Sequence, residues 1–416
     1  MKVALVCDWL TNVGGAEKVL LELHRMYPKA PIYTSQYNPR RIDWFDDADV
    51  RVGWMRIFPA SWRRFLGFFR QKYFAKLDLS DYDLVISVTG AEAKGVKTKK
   101  GLQKRKRYGD HPNDSTFDEK SQEGGAVHIS YCHVPTQYYW QMYGEYVREP
   151  GFGILNPLVR FCFKALVKPL RKRDYEAAQR VDQFVTISEY AKGLITKYYK
   201  RDSIVVHPPV EAEAFSNCLG RLEYTSQKSK SGIALKPQKD TSDYIPYYIT
   251  TSRQVTWKRL DLAVKACVRL GRPLLVVGEG PEHKKLMKLA EGKTDAEGKE
   301  LVKFLPVMGK EELAECLAGA RGYLFPSLEP FGIAPVEALA TGCPVIAFGE
   351  GGARDYIKDG ENGVLFDKQT VKSLAEAILK FEKMDFDYKK VVKSAEKFGV
   401  KRFDKEMENV ICAKVK

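Results

Sequence analysis

The chain has 416 residues, of which 44% are hydrophobic and 29% are charged, a balance typical of soluble globular proteins with room for two domains. No stretch approaches the roughly 20 uninterrupted apolar residues of a membrane span, and the N-terminal MKVALVCDWL lacks the apolar core and cleavage site of a secretion signal. The net charge is +15, and we expect a cytoplasmic protein with an affinity for anionic partners.

The first predicted strand, KVALVCDW, leads through a glycine-containing loop into a predicted helix. Gly14 and Gly15 lie in this loop, where they can bring backbone amides against a phosphate. The pattern lacks a full GxGxxG and is weak by itself.

Further along, Asp47 and Asp49 form a DxD sequence, which we interpret as part of a polar turn before a strand and not as a metal site.

Two basic segments carry much of the excess charge. Residues 54–77 contain aromatic side chains at steps of three and four, which predicts one aromatic face on a helix. These side chains are Phe58, Trp62, Phe65, Phe69 and Tyr73. Residues 160–173 repeat the basic theme. Such helices suit an anionic membrane surface, although the aromatic face could equally be core with the basic residues in solvent.

Two polar segments, 97–125 and 219–244, interrupt the regular pattern. Both lack apolar periodicity, so we interpret them as flexible insertions. The KRKR run in the first one lacks the interleaved aromatic residues of a nucleic-acid platform, and we predict no nucleic-acid partner.

The first half continues with apolar runs that predict parallel strands, and a histidine follows one of them. These runs are DLVISVTG, VHISYCHV, DQFVTISEY and SIVVHPPV. His133 ends the second of these runs; a structural histidine is the default interpretation for such a residue. A domain boundary near HPPVE would place residues 1–208 in an N-terminal domain and 209–395 in a C-terminal domain.

The second half restarts the alternation of strands and helices. Its strands are predicted at YYITTS, PLLVVGEG, VKFLPV and GYLFPS. Arg253 and Lys258 follow the first of these strands, where two cations could neutralise a diphosphate. Gly278 follows the next strand in another incomplete dinucleotide fingerprint. The pattern as a whole predicts an α/β protein with two doubly wound domains and a ligand cleft.

The segment EPFGIAPVEALATGCPVI, residues 329–346, places one carboxylate in a loop and another inside a helix. Glu329 and Glu337 could accept hydrogen bonds from ligand hydroxyls, while Gly332 lets a phosphate approach the helix N-terminus. A ligand with a central diphosphate and hydroxyls at both ends, a nucleotide sugar, fits this arrangement. Alternatively, the two carboxylates only cap a turn and complement the helix dipole.

Cysteine and histidine usage predicts neither disulfides nor a metal centre. The 8 cysteines include no CxxC pair, and the 6 histidines form no HExxH sequence. We therefore expect no metal and no cofactor beyond a nucleotide-sugar co-substrate.

Several of these segments together resemble retaining glycosyltransferases of family 4, which have the GT-B fold of two Rossmann-like domains facing across a cleft. The segments are EPFGIAPVEALATGCPVIAFGEGG, SRQVTWKRLDLAV, VVGEGP and NVGGAEKV. YCHVPTQYYW and the DQFVTISEY region resemble the branch that includes bacterial mannosyltransferases of surface-polysaccharide assembly.

The resemblance implies a role for each matching residue. Glu329 would hold donor-sugar hydroxyls, Glu337 the ribose, and Arg253 with Lys258 the diphosphate, while His133 would lie beside the transferred sugar. Backbone contacts to the donor would come from Gly14, Gly15, Gly278, Phe331, Gly332, Ile333 and Ala334. The resemblance also implies that residues 396–416 return to the first domain.

The implied activity is transfer of a hexose, mannose from GDP-mannose, to a glycan or lipid-linked acceptor with retention of anomeric configuration. The site would act at the inner face of the membrane, which the segments 54–77 and 160–173 would contact. Two alternatives remain: a sugar-nucleotide epimerase of the same fold, which would need acid and base carboxylates in the first domain, and a non-catalytic membrane-associated scaffold.

Overall fold

The computed structural model describes residues 1–59, 66–99, 125–148, 153, 156–216, 247–295 and 297–415. The chain divides into two compact units. The first contains residues 1–187, 191–206 and 404–416, and the second contains residues 188–190 and 207–403. The units therefore change at 206/207 and 403/404, close to the predicted boundary at 208/209 but eight residues after the predicted return at 396.

The first unit is built on a parallel sheet of seven strands in its described part. In chain order these are β1 Val3–Cys7, β2 Ile32–Thr34, β3 Val50–Val52, β4 Leu84–Thr89, β5 Val127–Cys132, β6 Gln183–Thr186 and β7 Ser203–Val205. Their order across the sheet is β3-β2-β1-β4-β5-β6-β7. The central strands β1 and β4 are buried along their whole length, which explains their continuous apolar sequences.

Helices connect these strands. They are α1 Gly15–Met26, α2 Gly67–Lys76, α3 Tyr143–Arg148, α4 Asn156–Gln179 and α5 Glu189–Tyr199. A short 3₁₀ helix, Ala93–Gly95, follows β4.

The second unit contains a parallel sheet of six described strands. They are β8 Tyr248–Thr251, β9 Leu274–Val277, β10 Val302–Leu305, β11 Gly322–Phe325, β12 Val345–Phe348 and β13 Gly363–Phe366, ordered β10-β9-β8-β11-β12-β13. The helices are α6 Leu260–Leu270, α7 His283–Ala290, α8 Lys310–Ala318, α9 Ile333–Ala340, α10 Val371–Phe381 and α11 Tyr388–Glu396, and α12 Val400–Lys414 ends the chain. The predicted α/β class with two doubly wound units is confirmed.

The predicted helix over 54–77 is wrong as a single element. Residues Trp54–Ile57 form a 3₁₀ helix, and α2 begins only at Gly67. Pro59 explains the break, because a proline disfavours helical geometry at the preceding residue, and Phe58 is extended with φ −88° and ψ 136°. Trp62 and Phe65 lie outside the described residues.

The aromatic side chains of this segment nevertheless gather on the surface. The ring of Phe58 lies 6.0 Å from Trp54 and 6.1 Å from Phe69. Trp54 and Phe69 are exposed, whereas Tyr73 is buried in the core beneath. The described part of the segment therefore combines both interpretations: Tyr73 and Phe74 belong to the core, Phe58 packs against it, and Trp54 and Phe69 reach the solvent.

The second basic segment lies within one long helix, α4. Its N-terminal half exposes Leu158, Phe161 and Leu166 beside Lys164 and Lys168. No helix in the described part of the chain is long and apolar enough to cross a membrane.

The edges of the predicted insertion 97–125 belong to the fold. The backbone of Lys97 forms a β-bridge with Asp78, and that of Lys99 forms one with Gly125. Thr98, between them, is buried. Residues 100–124 and the whole of 219–244 lie outside the described residues, so the predicted flexibility of both segments stays a prediction.

His128 on β5 makes the first unit sensitive to acid. Burial lowers the pKa of His128 to about 4, and its Nε2 lies 2.9 Å from Ser87 Oγ. Because the unfolded chain binds a proton near pH 6.5 and the folded chain does not, stability is complete above that pH and falls toward pH 4, by up to about 3 kcal/mol.

We expect His128→Gln to make this dependence about half as steep and not to remove it, because burial also lowers the pKa of His133 in the same unit to about 4. Urea unfolding of both proteins between pH 7 and pH 4.5 measures the difference. Parallel pH curves for the wild type and the variant would contradict this assignment.

Candidate active site

The loops after β8 and β11 meet at the centre of the second sheet. These strands are neighbours, although β9 and β10 separate them in sequence, so the chain reverses its direction of strand addition between them. Ligands of doubly wound sheets bind at such a switch point, outside the carboxyl ends of the strands. Arg253 and Lys258 follow β8, and Glu329 follows β11.

An ion pair joins the two loops. Lys258 Nζ lies 2.5 Å from Glu329 Oε1, and Ser327 Oγ donates a hydrogen bond of 2.8 Å to the same oxygen. Both charged side chains keep about a fifth of their surface exposed, 20% for the lysine and 19% for the glutamate. The sequence assigned separate roles to these residues, whereas the structure pairs them.

The pair leaves two groups of the site without described partners. Glu329 Oε2 accepts no hydrogen bond from the described residues, since both bonds fall on Oε1. Arg253 is exposed, and its guanidinium makes no hydrogen bond or ion pair within the described part of the chain. With respect to the described residues, Glu329 Oε2 and the Arg253 guanidinium are therefore both open to a ligand.

The loop that carries Glu329 turns directly into α9. Gly332 has φ +91°, and a Cβ there would lie 2.6 Å from the Phe325 ring, so glycine is needed at this position. No side chain caps α9, and its first residues Ile333 and Ala334 keep backbone N–H groups at the positive end of the helix.

Glu337 lies one turn inside α9, as the sequence predicts, and is buried. Burial raises the pKa of Tyr323 on β11, and the carboxylates of Glu329 and Glu337 add to the rise. Both acids are thus close enough to act on one tyrosine in the same unit.

A glycine-rich loop after β12 supports the Glu329 backbone. Gly352 N donates a hydrogen bond of 2.8 Å to Glu329 O. A Cβ on Gly351 would lie 2.4 Å from Glu329 O, and one on Gly352 would lie 2.2 Å from Pro330 O. Both glycines belong to a family motif in the sequence, but their spacing gives no signal that they fix the position of the carboxylate loop.

Phe331 points into an aromatic cluster. Its ring lies 5.5 Å from His207, 5.3 Å from Tyr356 and 5.8 Å from Phe398, and the Tyr356 hydroxyl donates to Phe331 O at 2.8 Å. The side chain is therefore structural, and only the backbone of this residue remains for a ligand.

Gln254, which the sequence analysis did not single out, ties the loop after β8 to the loop after β9. Its Nε2 donates to Gly278 O at 2.5 Å, and its Oε1 lies 2.8 Å from His283 Nδ1. Gly278 has φ +120°, and a Cβ there would lie 2.3 Å from Ser252 O. The glycine thus allows two loops to touch, and its contact with a donor stays a prediction.

In the first unit, Gly14 and Gly15 begin α1, as predicted. Gly14 is extended with φ −165°, and no side chain caps the helix.

Asp8, at the end of β1, was missed by the sequence analysis. Its carboxylate accepts hydrogen bonds from Thr89 Oγ1 at 3.0 Å and from the backbone N–H groups of Gly90, Ala91 and Ala93 at 2.8–3.0 Å.

His133 follows β5 in the first unit. Burial lowers its pKa to about 4, so the imidazole is neutral at physiological pH. Its Nε2 is buried and has no hydrogen-bond partner among the described residues, and its ring packs 5.5 Å from Tyr131. A buried nitrogen without a hydrogen-bond partner costs free energy, and a hydrogen bond with a ligand hydroxyl would offset that cost.

The structure therefore groups the predicted residues by unit. Lys258 and Glu329 meet at the switch point of the second sheet, Arg253 lies in the same loop as Lys258, and Glu337 lies in α9. Gly14, Gly15 and His133 belong to the first unit.

Part of the second unit is similar to known proteins. Residues 234–398 match the family model described as Glycosyl transferases group 1. D-inositol 3-phosphate glycosyltransferase of Mycobacterium marinum is 29% identical over 178 residues, 42% of this chain and 36% of that protein. Alpha-1,3/1,6-mannosyltransferase alg-2 of Neurospora crassa is 28% identical over 238 residues, 47% of each. The chain thus spans about a third to a half of these relatives.

Solved structures match over the whole length. Anabaena Alr3699/HepE in complex with UDP has a TM-score of 0.65 and 15% identity, with 99% of this chain and 100% of that chain covered. The lipopolysaccharide outer core galactosyltransferase WaaB has a TM-score of 0.63 and 15% identity, with both chains covered fully at 100%. The fold is that of GT-B proteins, and the match to the Glycosyl transferases group 1 model lies within the second unit.

The glycine support of the carboxylate loop can be tested directly. Gly352→Ala would force a methyl group against Pro330 O and displace the loop, so we expect a loss of about 1 to 3 kcal/mol of unfolding free energy in urea unfolding. Gly309→Ala is the control, because nothing lies within 4 Å of its added Cβ. Equal unfolding curves for the two variants would contradict this role.

Proposed function

We propose that this protein is a retaining glycosyltransferase that transfers a hexose from a nucleotide diphosphate sugar to a glycan or lipid-linked acceptor. The observation that carries the proposal is the Lys258–Glu329 pair at the switch point of the second sheet. A cation and a hydrogen-bond acceptor adjoin a helix N-terminus there, which matches a ligand with both phosphates and hydroxyls.

Each group has a role in this proposal. Glu329 Oε2 accepts a hydrogen bond from a donor-sugar hydroxyl, while Oε1 stays on Lys258 and Ser327. Lys258 and Arg253 neutralise the diphosphate, whose charge grows as the glycosidic bond breaks. The N–H groups of Ile333 and Ala334 face the phosphate, and Glu337 accepts from the ribose hydroxyls.

The reaction we propose is a front-face displacement. The bond from the anomeric carbon to the diphosphate oxygen breaks, the acceptor oxygen bonds to the same face, and a departing phosphate oxygen takes the acceptor's proton. The rate enhancement comes from positioning and from cations directed at developing negative charge. His133, which is neutral at physiological pH, would form a hydrogen bond with the transferred sugar through Nε2, which has no partner among the described residues.

We propose GDP-mannose as the donor, on the resemblance of the first half to mannosyltransferases and on the similarity to a curated mannosyltransferase. Anabaena Alr3699/HepE was solved with UDP, so uridine donors are the natural comparison. Incubation with labelled GDP-mannose, UDP-glucose or UDP-galactose and a lipid-extract acceptor should label a product only with GDP-mannose. Interconversion of free donors would favour the epimerase, and an absence of turnover with every donor would favour the scaffold.

Removing either partner of the ion pair should abolish transfer. We expect Lys258→Met and Glu329→Gln to reduce the rate by about 10² to 10³, because each removes a group that acts on the donor. Lys310→Met is the matched control: Lys310 lies in the same unit and pairs with Glu211 at 2.7 Å, but both are exposed. The initial rate of sugar transfer measures the effect, with circular dichroism as a check of folding. A rate near that of the control would rule out these roles.

We also propose that the first unit contacts an anionic membrane from the cytoplasm. Ile57 and Phe161 are each 72% exposed, in segments rich in arginine and lysine. Exposed apolar side chains among basic ones bind anionic bilayers, since burial of apolar surface and attraction to phosphates add.

Replacing these two side chains should weaken vesicle binding. In sedimentation with phosphatidylglycerol vesicles, we expect Ile57→Ser with Phe161→Ser to lower the bound fraction, because less apolar surface enters the bilayer. Val307→Ser is the control, since Val307 is 74% exposed in the second unit. A bound fraction unchanged by the double substitution would contradict the contact.

A further inference from the structure

A pocket of about 240 Å³ opens in the first unit between α2 and α4. Its base is formed by Gly95, which follows β4, and its walls come from the two helices. The polar side chains that line it are Gln71, Lys72, Glu92, Arg173, Asp174, Glu176 and Arg180. All of them belong to the first unit, whereas the proposed donor groups Lys258 and Glu329 belong to the second.

Of the three acidic side chains that line the pocket, Glu92 and Asp174 are buried and paired with cations of the protein, while Glu176 is half-buried. Arg70 Nε lies 2.8 Å from Glu92 Oε2. Asp174 Oδ1 lies 2.6 Å from Lys94 Nζ, and its Oδ2 accepts hydrogen bonds from Trp140 Nε1 at 2.7 Å and from the Tyr199 hydroxyl at 2.8 Å. The aspartate, the lysine and Tyr199 are all buried. This carboxylate therefore adds little negative charge to the mouth of the pocket.

The mouth carries two cations without acidic partners. Lys72 Nζ lies 4.3 Å from the centre of the Phe68 ring, and Arg173 Cζ lies 5.6 Å from the same ring. Neither makes an ion pair with any described residue. Two like charges over one ring repel each other, and a bound anion would relieve that repulsion.

Gln71, one of the residues that line the pocket, carries an unsatisfied hydrogen-bond acceptor. Gln71 Nε2 donates to Leu170 O at 3.0 Å, which fixes the orientation of the amide. Its Oε1 is buried and receives no hydrogen bond from the residues that the structure describes. Leaving a buried acceptor without a donor costs free energy, and a ligand hydroxyl would remove that cost.

We propose that this pocket binds a small phosphate ester that carries hydroxyl groups, of the phosphoglycerol class. The phosphate contacts Lys72 and Arg173, and a hydroxyl donates to Gln71 Oε1. The volume of 240 Å³ equals about eight waters at 30 Å³ each and is below the roughly 300 to 1,000 Å³ of sites for drug-sized ligands. A phosphoglycerol group can come from a lipid headgroup or from a soluble phosphorylated polyol.

Calorimetric titration of the full chain with glycerol 3-phosphate tests the pocket. We expect Lys72→Gln with Arg173→Gln to weaken binding at least tenfold. Lys76→Gln with Lys168→Gln is the matched control, because it removes the same two charges from exposed positions of the same two helices outside the pocket. Equal affinities for the two double variants, or no binding by the wild type, would overturn the proposal.

A second variant separates the hydroxyl contact from the charge. Gln71→Leu should weaken glycerol 3-phosphate binding while leaving the affinity for inorganic phosphate unchanged. Equal losses for both ligands would overturn the hydroxyl contact.

Vesicles then distinguish the two sources. If glycerol 3-phosphate displaces the wild-type chain from phosphatidylglycerol vesicles but does not displace the double pocket variant, the ligand is a lipid headgroup. If glycerol 3-phosphate binds in the pocket but does not displace the wild-type chain from the vesicles, the ligand is a soluble phosphate. Neither experiment measures sugar transfer. A negative result would therefore overturn the proposed ligand of this pocket without contradicting the proposed donor site.

Discussion

The proposed site depends on the reversal of strand order at the centre of the second sheet. Because β8 and β11 are neighbours, the loop with Lys258 and the loop with Glu329 must leave the sheet side by side, and the 2.5 Å ion pair joins them. The backbone of Glu329 is in turn fixed by close contact with Gly351 and Gly352. A charged pair kept partly exposed by rigid loops is suited to exchange one of its contacts for a ligand.

The first sheet also has a reversal of strand order, but different groups lie at it. Its order reverses between β1 and β4, and the N–H groups of Gly90, Ala91 and Ala93 converge there on the carboxylate of Asp8. The protein thus supplies its own anion at this switch point, while the second sheet leaves a cation and helix N–H groups for one. This difference gives a physical reason to assign the phosphates of a donor to the second unit.

The sequence predicted the fold class and most strands because parallel strands are buried on both faces and appear as continuous apolar runs. It failed at 54–77, where aromatic spacing indicated one helix but Pro59 ends it. It also missed Gln254 and Asp8, since a single polar residue gives no signal of the loop contacts that it will make. Such contacts join residues far apart in sequence, and spacing alone does not reveal them.

The most direct test is a crystal structure of the chain soaked with GDP-mannose or UDP. Our account predicts that the diphosphate lies within hydrogen-bonding distance of Lys258 and Arg253, at the N-terminus of α9, with Glu329 on a sugar hydroxyl in the GDP-mannose complex. A nucleotide bound away from the ends of β8 and β11, with the original ion pair intact and exposed to solvent, would contradict it.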